Sequence, residues 1–114
     1  MQGTLFGALL GISVCEAEGF PLEAYMKSAA DFTPLVSGWA LDVMRRVRDG
    51  DTGGETALAT VEGHAASVQH LVDLCGHHGI HRALPDAFDQ LLQSAIEAGR
   101  AGDDFSALAA LMRR

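Results

Sequence analysis

With 114 residues, a net charge of −7 and 48% hydrophobic residues, the chain has enough apolar side chains for one folded domain, which excludes intrinsic disorder. The acid excess works against a phosphate backbone, so no nucleic-acid partner is expected. Two cysteines make no disulfide scaffold, and Cys15 and Cys75 lie in apolar surroundings, so both are expected as reduced thiols in the cytoplasm.

The first 15 residues, M-Q-G-T-L-F-G-A-L-L-G-I-S-V-C, carry no charge and set Gly3, Gly7 and Gly11 four apart. On a helix these glycines form one bare stripe, while Leu5, Phe6, Leu9, Leu10, Ile12 and Val14 cover the other directions. The stripe costs about 3 kcal/mol in propensity unless another backbone packs closely on it. A helix apolar all round is a buried one, and no capping residue precedes Met1. This pattern predicts a buried helix belonging to a larger protein, and a homodimer held largely through that helix. The run is too short to span a membrane and lacks a secretion signal's basic start. No membrane partner is expected.

The first helix is expected over residues 1–18, stopped by Gly19 and Pro21, and a second over residues 21–30. Thr33-Pro34 reads as the N-cap and first position of a third helix, ending at Asp49-Gly50. Its basic cluster, Arg45-Arg46-Val47-Arg48, complements the helix dipole. After a turn at residues 49–54, a fourth helix is expected over residues 55–75, with Leu58, Val61, Ala65, Val68, Leu71 and Val72 on its apolar face. Gly76 and Gly79 close it. A fifth starts at Pro85 and shows Phe88, Leu91, Leu92, Ala95 and Ile96 before Gly99. A short sixth, capped by Asp103, carries Phe105, Leu108 and Leu111 to Arg114. No period-2 alternation interrupts these segments, so the fold class is all-α, with six helices.

Chemistry is sparse. His64, His70, His77, His78 and His81 stand near Cys75, and zinc accepts both ligand types, but the spacing fits no zinc pattern. No metal is expected, and the pair His77-His78 suits a helix C-terminus. Ser67 and His70 are three apart on one helix face, without a recognisable oxyanion hole or orienting acid. No glycine-rich phosphate loop follows a strand, so this chain alone is expected to bind no cofactor. Trp39, between Gly38 and Ala40, has room around its indole, and Gln69 is an amide within an apolar repeat. Either these two mark a cavity, or Trp39 is core and Gln69 faces solvent.

The segments G-T-L-F-G-A-L-L-G (3–11), A-E-G-F (17–20), T-A-L-A-T (56–60), V-Q-H-L-V (68–72), G-I (79–80), E-A-G (97–99) and D-D-F-S-A-L (103–108) stand in an order and spacing that resembles the C-terminal helical domain of NADPH-dependent imine reductases and reductive aminases. These belong to the β-hydroxyacid dehydrogenase superfamily, and the resemblance implies a helical dimerisation domain of the 6-phosphogluconate dehydrogenase C-terminal-like type. It further implies that in the intact enzyme a Rossmann domain binds NADPH, that the helical domains of two subunits intertwine, and that hydride passes to an imine between one subunit's Rossmann domain and its partner's helical domain. Four pocket residues follow from the resemblance: Phe6 as an aromatic on the first helix, Trp39 on the third, and Val68 with Gln69 on the fourth. The family's Asp or Tyr position falls just upstream of Met1, so no catalytic residue and no Rossmann domain are expected within this chain. Phe6 also lacks the hydroxyl that some relatives have there, so it shapes the pocket without transferring a proton. Two other readings stay open: a stand-alone dimerisation module without catalysis, and the same domain from a relative acting on a hydroxy acid.

Overall fold

A computed structural model describes residues 1–113. It contains five α-helices: α1 (Gln2–Ala17), α2 (Leu22–Asp49), α3 (Val61–His78), α4 (Ala83–Glu97) and α5 (Ala109–Met112). Two 3₁₀ turns, Gly54–Thr56 and Phe105–Leu108, punctuate the second half. The all-helical fold class expected from the sequence is what forms, and no helix among the described residues is long and apolar enough to cross a membrane.

The core lies entirely in the second half. Val61 and Ala65 of α3, Leu92 and Ala95 of α4, and Leu108 of the second 3₁₀ turn are buried together, with Val68, Ile96, Phe105 and Leu111 packed around them. These residues recur three and four apart, so each helix turns one apolar stripe inward. Thr60 starts α3 by accepting the Gly63 amide at 3.1 Å. At its other end Gly79 takes φ +69°, a left-handed conformation that glycine adopts without a Cβ clash, and α4 begins four residues later. Cys75 is fully buried and Cys15 half-buried, and neither is in a disulfide.

Helices α1 and α2 have no buried residue at all. They touch each other where the Tyr25 hydroxyl lies against the bare backbone of Gly11; a Cβ there would overlap it. One side-chain contact, His78 Nε2 to Glu18 Oε1 at 3.3 Å, ties the end of α1 to the end of α3. Nothing lies within 4 Å of where a Cβ on Gly3 or Gly7 would stand. The expectation of a buried first helix therefore fails for the single chain: only Gly11 is used within it. The resulting shape is extended, with a radius of gyration of 15.1 Å against about 13 Å for a compact domain of this length.

Helix boundaries differ from expectation in several places: α3 runs through Gly76 to His78, and α4 starts at Ala83 instead of Pro85. The second and third expected helices are one, because Pro34 sits inside α2 instead of starting a helix. Proline leaves the carbonyl four residues earlier without its amide partner, but every residue from 26 to 41 is exposed, so water can take that bond. Thr33, instead of capping, donates its hydroxyl to the Ala29 carbonyl at 2.7 Å. The fourth expected helix starts later, at Val61, since Thr60 is the better cap and the chain bends at residues 58–59 before it; Leu58 is thus an exposed loop residue. Asp104, not Asp103, caps the last segment, accepting from the Ser106 amide.

Candidate functional site

The site is built from the floor upward. Backbone bonds stitch the loop after α2 to the loop after α4: Val61 N to Asp103 O and Phe105 N to Ala59 O, both 2.9 Å, and Asp104 N to Thr52 O at 3.0 Å. This pairing buries Asp104 to 2% exposure. Its carboxylate accepts three hydrogen bonds, from Leu58 N (3.0 Å), Ser106 N (2.9 Å) and the Ser106 hydroxyl (2.6 Å). Burial pushes the Asp104 pKa up, but these donors and the nearby Arg46 outweigh it and hold the group below the usual carboxylate value.

Arg46, in the last turn of α2, is the strap across this floor. Its Nε donates to Asp42 Oδ2 at 2.7 Å and lies 3.8 Å from Asp104 Oδ2, while Nη2 donates to the Thr56 carbonyl at 2.6 Å. Asp51 is 3.9 Å away on the other side. The Asp42 hydrogen bond raises the guanidinium pKa above its ordinary value despite desolvation. Of the basic cluster, Arg46 therefore does more than complement the dipole, whereas Arg48 pairs with its neighbour Asp49.

Above the floor, α2 and α3 diverge and leave a groove of about 590 Å³, within the range that holds small ligands. Trp39, Val36 and Val43 form the α2 wall; His64 and Ser67 form the α3 wall; Phe105 closes the base. The His64 ring stacks on Phe105 at 4.3 Å between centroids, tilted by 37°. Burial lowers the His64 pKa, with Asp104 pulling the other way, and the balance favours the neutral ring. Ser67 donates to the Gly63 carbonyl at 3.3 Å, and its groove neighbour is His64, three residues earlier, not His70.

The four pocket residues named from the sequence do not meet in one chain. Trp39, 46% exposed, lines the α2–α3 groove. Phe6, 55% exposed, lines a separate cleft of about 450 Å³ between α1 and the α3–α4 turn, with Leu9, Ile80 and Leu84. Val68 packs on the core cluster. Gln69 is exposed and donates to Asp73 Oδ1, one turn on, at 3.0 Å. His64, Asp104 and Arg46 were not picked out as site residues. The readable signals were D-x-S at residues 104–106, an aspartate capping two residues on, and His64 with Ser67 on one helix face. The remaining histidines gather no metal site: no three ligating side chains cluster among the described residues. His77 and His78 stand edge-on at the end of α3.

The family model described as NADPH-dependent reductive aminase-like, C-terminal domain, matches residues 1–114. Among solved structures, the chain is similar to an imine reductase from Myxococcus stipitatus in complex with NADP+, at 37% identity and a TM-score of 0.92 over 96% of this chain and 40% of that one. A V8 variant of the Myxococcus stipitatus enzyme, in complex with NAD+, gives 36% identity and a TM-score of 0.93 over 98% of this chain and 40% of that one. A reductive aminase from Aspergillus terreus, in complex with NADPH and ethyl levulinate, shares the fold at 19% identity, with a TM-score of 0.89 over 98% of this chain and 39% of that one. The chain thus spans about 40% of the length of the imine reductases it matches. No curated protein matches.

Proposed function

This chain belongs to the NADPH-dependent reductive aminase-like C-terminal domain family, and from that premise we propose that it is the substrate-pocket and dimerisation domain of an NADPH-dependent oxidoreductase that transfers hydride to an imine, inactive alone. The observation that carries this reading is uncovered surface. The chain exposes 7641 Å², whereas a monomer of 12.0 kDa exposes roughly 6,000 Å². The excess, about 1,600 Å² per chain, amounts to about 3,200 Å² for a pair, which is the size of an obligate homodimer interface. Much of the exposed apolar surface is on α1 and α2, where Phe6, Leu9, Phe32, Leu35 and Leu41 are all half-exposed.

A homodimer also accounts for the scattered pocket. If α1 of one subunit covers the α2–α3 groove of its partner, Phe6 of one chain meets Trp39 of the other across the interface. The open stripe of Gly3 and Gly7 suits such an approach. The cofactor is a different matter. No strand leads into a glycine-rich turn among the described residues, so this chain's residues do not fit a dinucleotide pyrophosphate. In this reading NADPH is held by the N-terminal Rossmann domain of the larger cytoplasmic enzyme, and residues 1–114 form one helical domain that supplies apolar walls and excludes water.

The test is sedimentation velocity at low micromolar concentration, expected to give twice the chain mass. Gly7→Leu, which meets nothing within its own chain, is expected to split the dimer or precipitate it. A soluble monomer unaffected by Gly7→Leu would refute the dimerisation role, and micromolar NADPH affinity by calorimetry would refute the division of labour.

A further inference from the structure

Four polar side chains line the α2–α3 groove: Asp42, His64, Ser67 and Asp104. Asp42 is bonded to Arg46, Asp104 accepts three hydrogen bonds, and Ser67 is bonded to Gly63. The His64 ring makes no hydrogen bond among the described residues, although one face of it is taken by Phe105. No buried side-chain nitrogen or oxygen is left without a partner, so the His64 nitrogens are not sealed in the protein; they reach open volume. The charge around them is lopsided. Asp42, Asp51 and Asp104 all stand within 4 Å of the single Arg46 guanidinium, leaving a local surplus of negative charge beneath an apolar wall. Trp39 adds an aromatic face that attracts cations.

An occupant that satisfies all of this has an apolar body, a positive charge and an N–H to donate. A carboxylate would meet the surplus of acids, and a neutral alcohol would gain nothing from it. Resting on the substrate-pocket reading above, we propose that His64 is the hydrogen-bond acceptor that holds the ammonium group of an apolar amine in the α2–α3 groove. The neutral imidazole accepts through one nitrogen, Phe105 fixes the ring plane, and Asp42 and Asp104 stabilise the cation at longer range without losing their own bonds. The groove volume accommodates a ring of about six carbons with the amine directed at His64.

Cyclohexylamine, cyclohexanol and cyclohexanecarboxylate are the probes, titrated into the 114-residue chain with fluorescence of the sole tryptophan, Trp39, and the NMR signals of the His64 imidazole as readouts. The amine is expected to bind more tightly than the other two and to shift the His64 ring signals. His64→Phe keeps an aromatic against Phe105 and is expected to weaken the amine about tenfold, the worth of one charge-assisted hydrogen bond, with cyclohexanol changed less than twofold. His64→Gln retains an acceptor and is expected to recover most of the amine affinity. Circular dichroism melts check that both variants fold; if His64→Phe does not, the wild-type preference for amine over alcohol and the His64→Gln result decide. Equal affinity for amine and alcohol, an unchanged amine affinity in His64→Phe, or no response because a second copy fills the groove would each overturn the proposal. A monomer that still prefers the amine would sink the dimer reading and leave His64 standing; a dimer indifferent to the amine would do the reverse.

Discussion

Asp104 holds the second half of the chain together, and its removal has a calculable cost. In Asp104→Ala, two backbone donors, Leu58 N–H and Ser106 N–H, lose their acceptor. Each donor stranded away from water costs about 1–3 kcal/mol, while the Ser106 hydroxyl can rotate to another acceptor. Part of the Leu58 amide's loss is recovered by water, because that bond is only part-buried. The expected loss is about 3 kcal/mol, a large share of the roughly 5–15 kcal/mol available to a domain. Asp104→Asn is the finer probe. One amide oxygen still serves Ser106, but the NH₂ then faces the Leu58 N–H, donor against donor, for an expected loss of about 1.5–3 kcal/mol. Urea unfolding followed by circular dichroism, at one fixed protein concentration, measures both. The carboxyl is held below its ordinary pKa, so its ionised form contributes stability that is complete above about pH 4, the unfolded value, and is lost as pH falls through the lower folded value. The gap between wild type and Asp104→Asn is therefore expected to be constant from pH 5 to 8 and to shrink below pH 4. An Asn variant within about 0.5 kcal/mol of wild type, the range of an ordinary surface change, or a gap undiminished at pH 3, would refute the role given to this carboxylate.

Other substitutions separate roles within a chain from roles between chains. Gly11→Leu is expected to eject Tyr25 and lower the melting temperature even at concentrations where the chain is monomeric, by the 1–3 kcal/mol typical of overpacking. Pro34→Ala restores an amide inside α2 and is expected to raise the melting temperature, since a mid-helix proline costs about 3 kcal/mol against alanine; a lower one would mean that α2 is shaped around the proline. Gln69→Ala removes only an exposed pair with Asp73, worth about 0.2–0.5 kcal/mol. A melt shifted by several degrees would show that Gln69 is structural, whereas an altered substrate KM in the intact enzyme with an unchanged melt would support the pocket role.

Helix content and the α3–α4 core were legible because the apolar repeats there are regular, and Gly79 announces the end of α3 in the letters alone, whereas the Thr60 cap was hidden behind an apolar repeat that runs on upstream through Leu58. What stayed hidden depends on partners distant in sequence. Pro34 looks like a helix start, and only the full exposure of residues 26–41 explains why the helix runs through it. Asp103 and Asp104 are equivalent as letters; backbone pairing with the loop at residues 52–59 selects Asp104 as the buried one. Arg46 is one of three arginines in four residues, and nothing local says which of them finds Asp42, Asp51 and Asp104. The pocket set Phe6, Trp39, Val68 and Gln69 came from resemblance to whole enzymes, and its members lie apart within this chain, Trp39 in one groove, Phe6 in another cleft, Val68 on the core and Gln69 exposed.

The Arg46 strap also makes α2 a lever. The helix has 28 residues, and its side-chain hydrogen bonds to the body, to Thr56 and the Asp51 carbonyl, gather at Arg46, three residues from its C-terminal end. From there to Leu22 is about 36 Å at 1.5 Å per residue, so a rotation of about 5° at the strap moves the far tip by roughly 3 Å. Any partner gripping the tip therefore turns a small torque at Arg46 into a displacement of the Trp39 wall, about one-third of the way along. The width of the groove is then governed from both ends of one rod, by a guanidinium at its fulcrum and by whatever holds its tip.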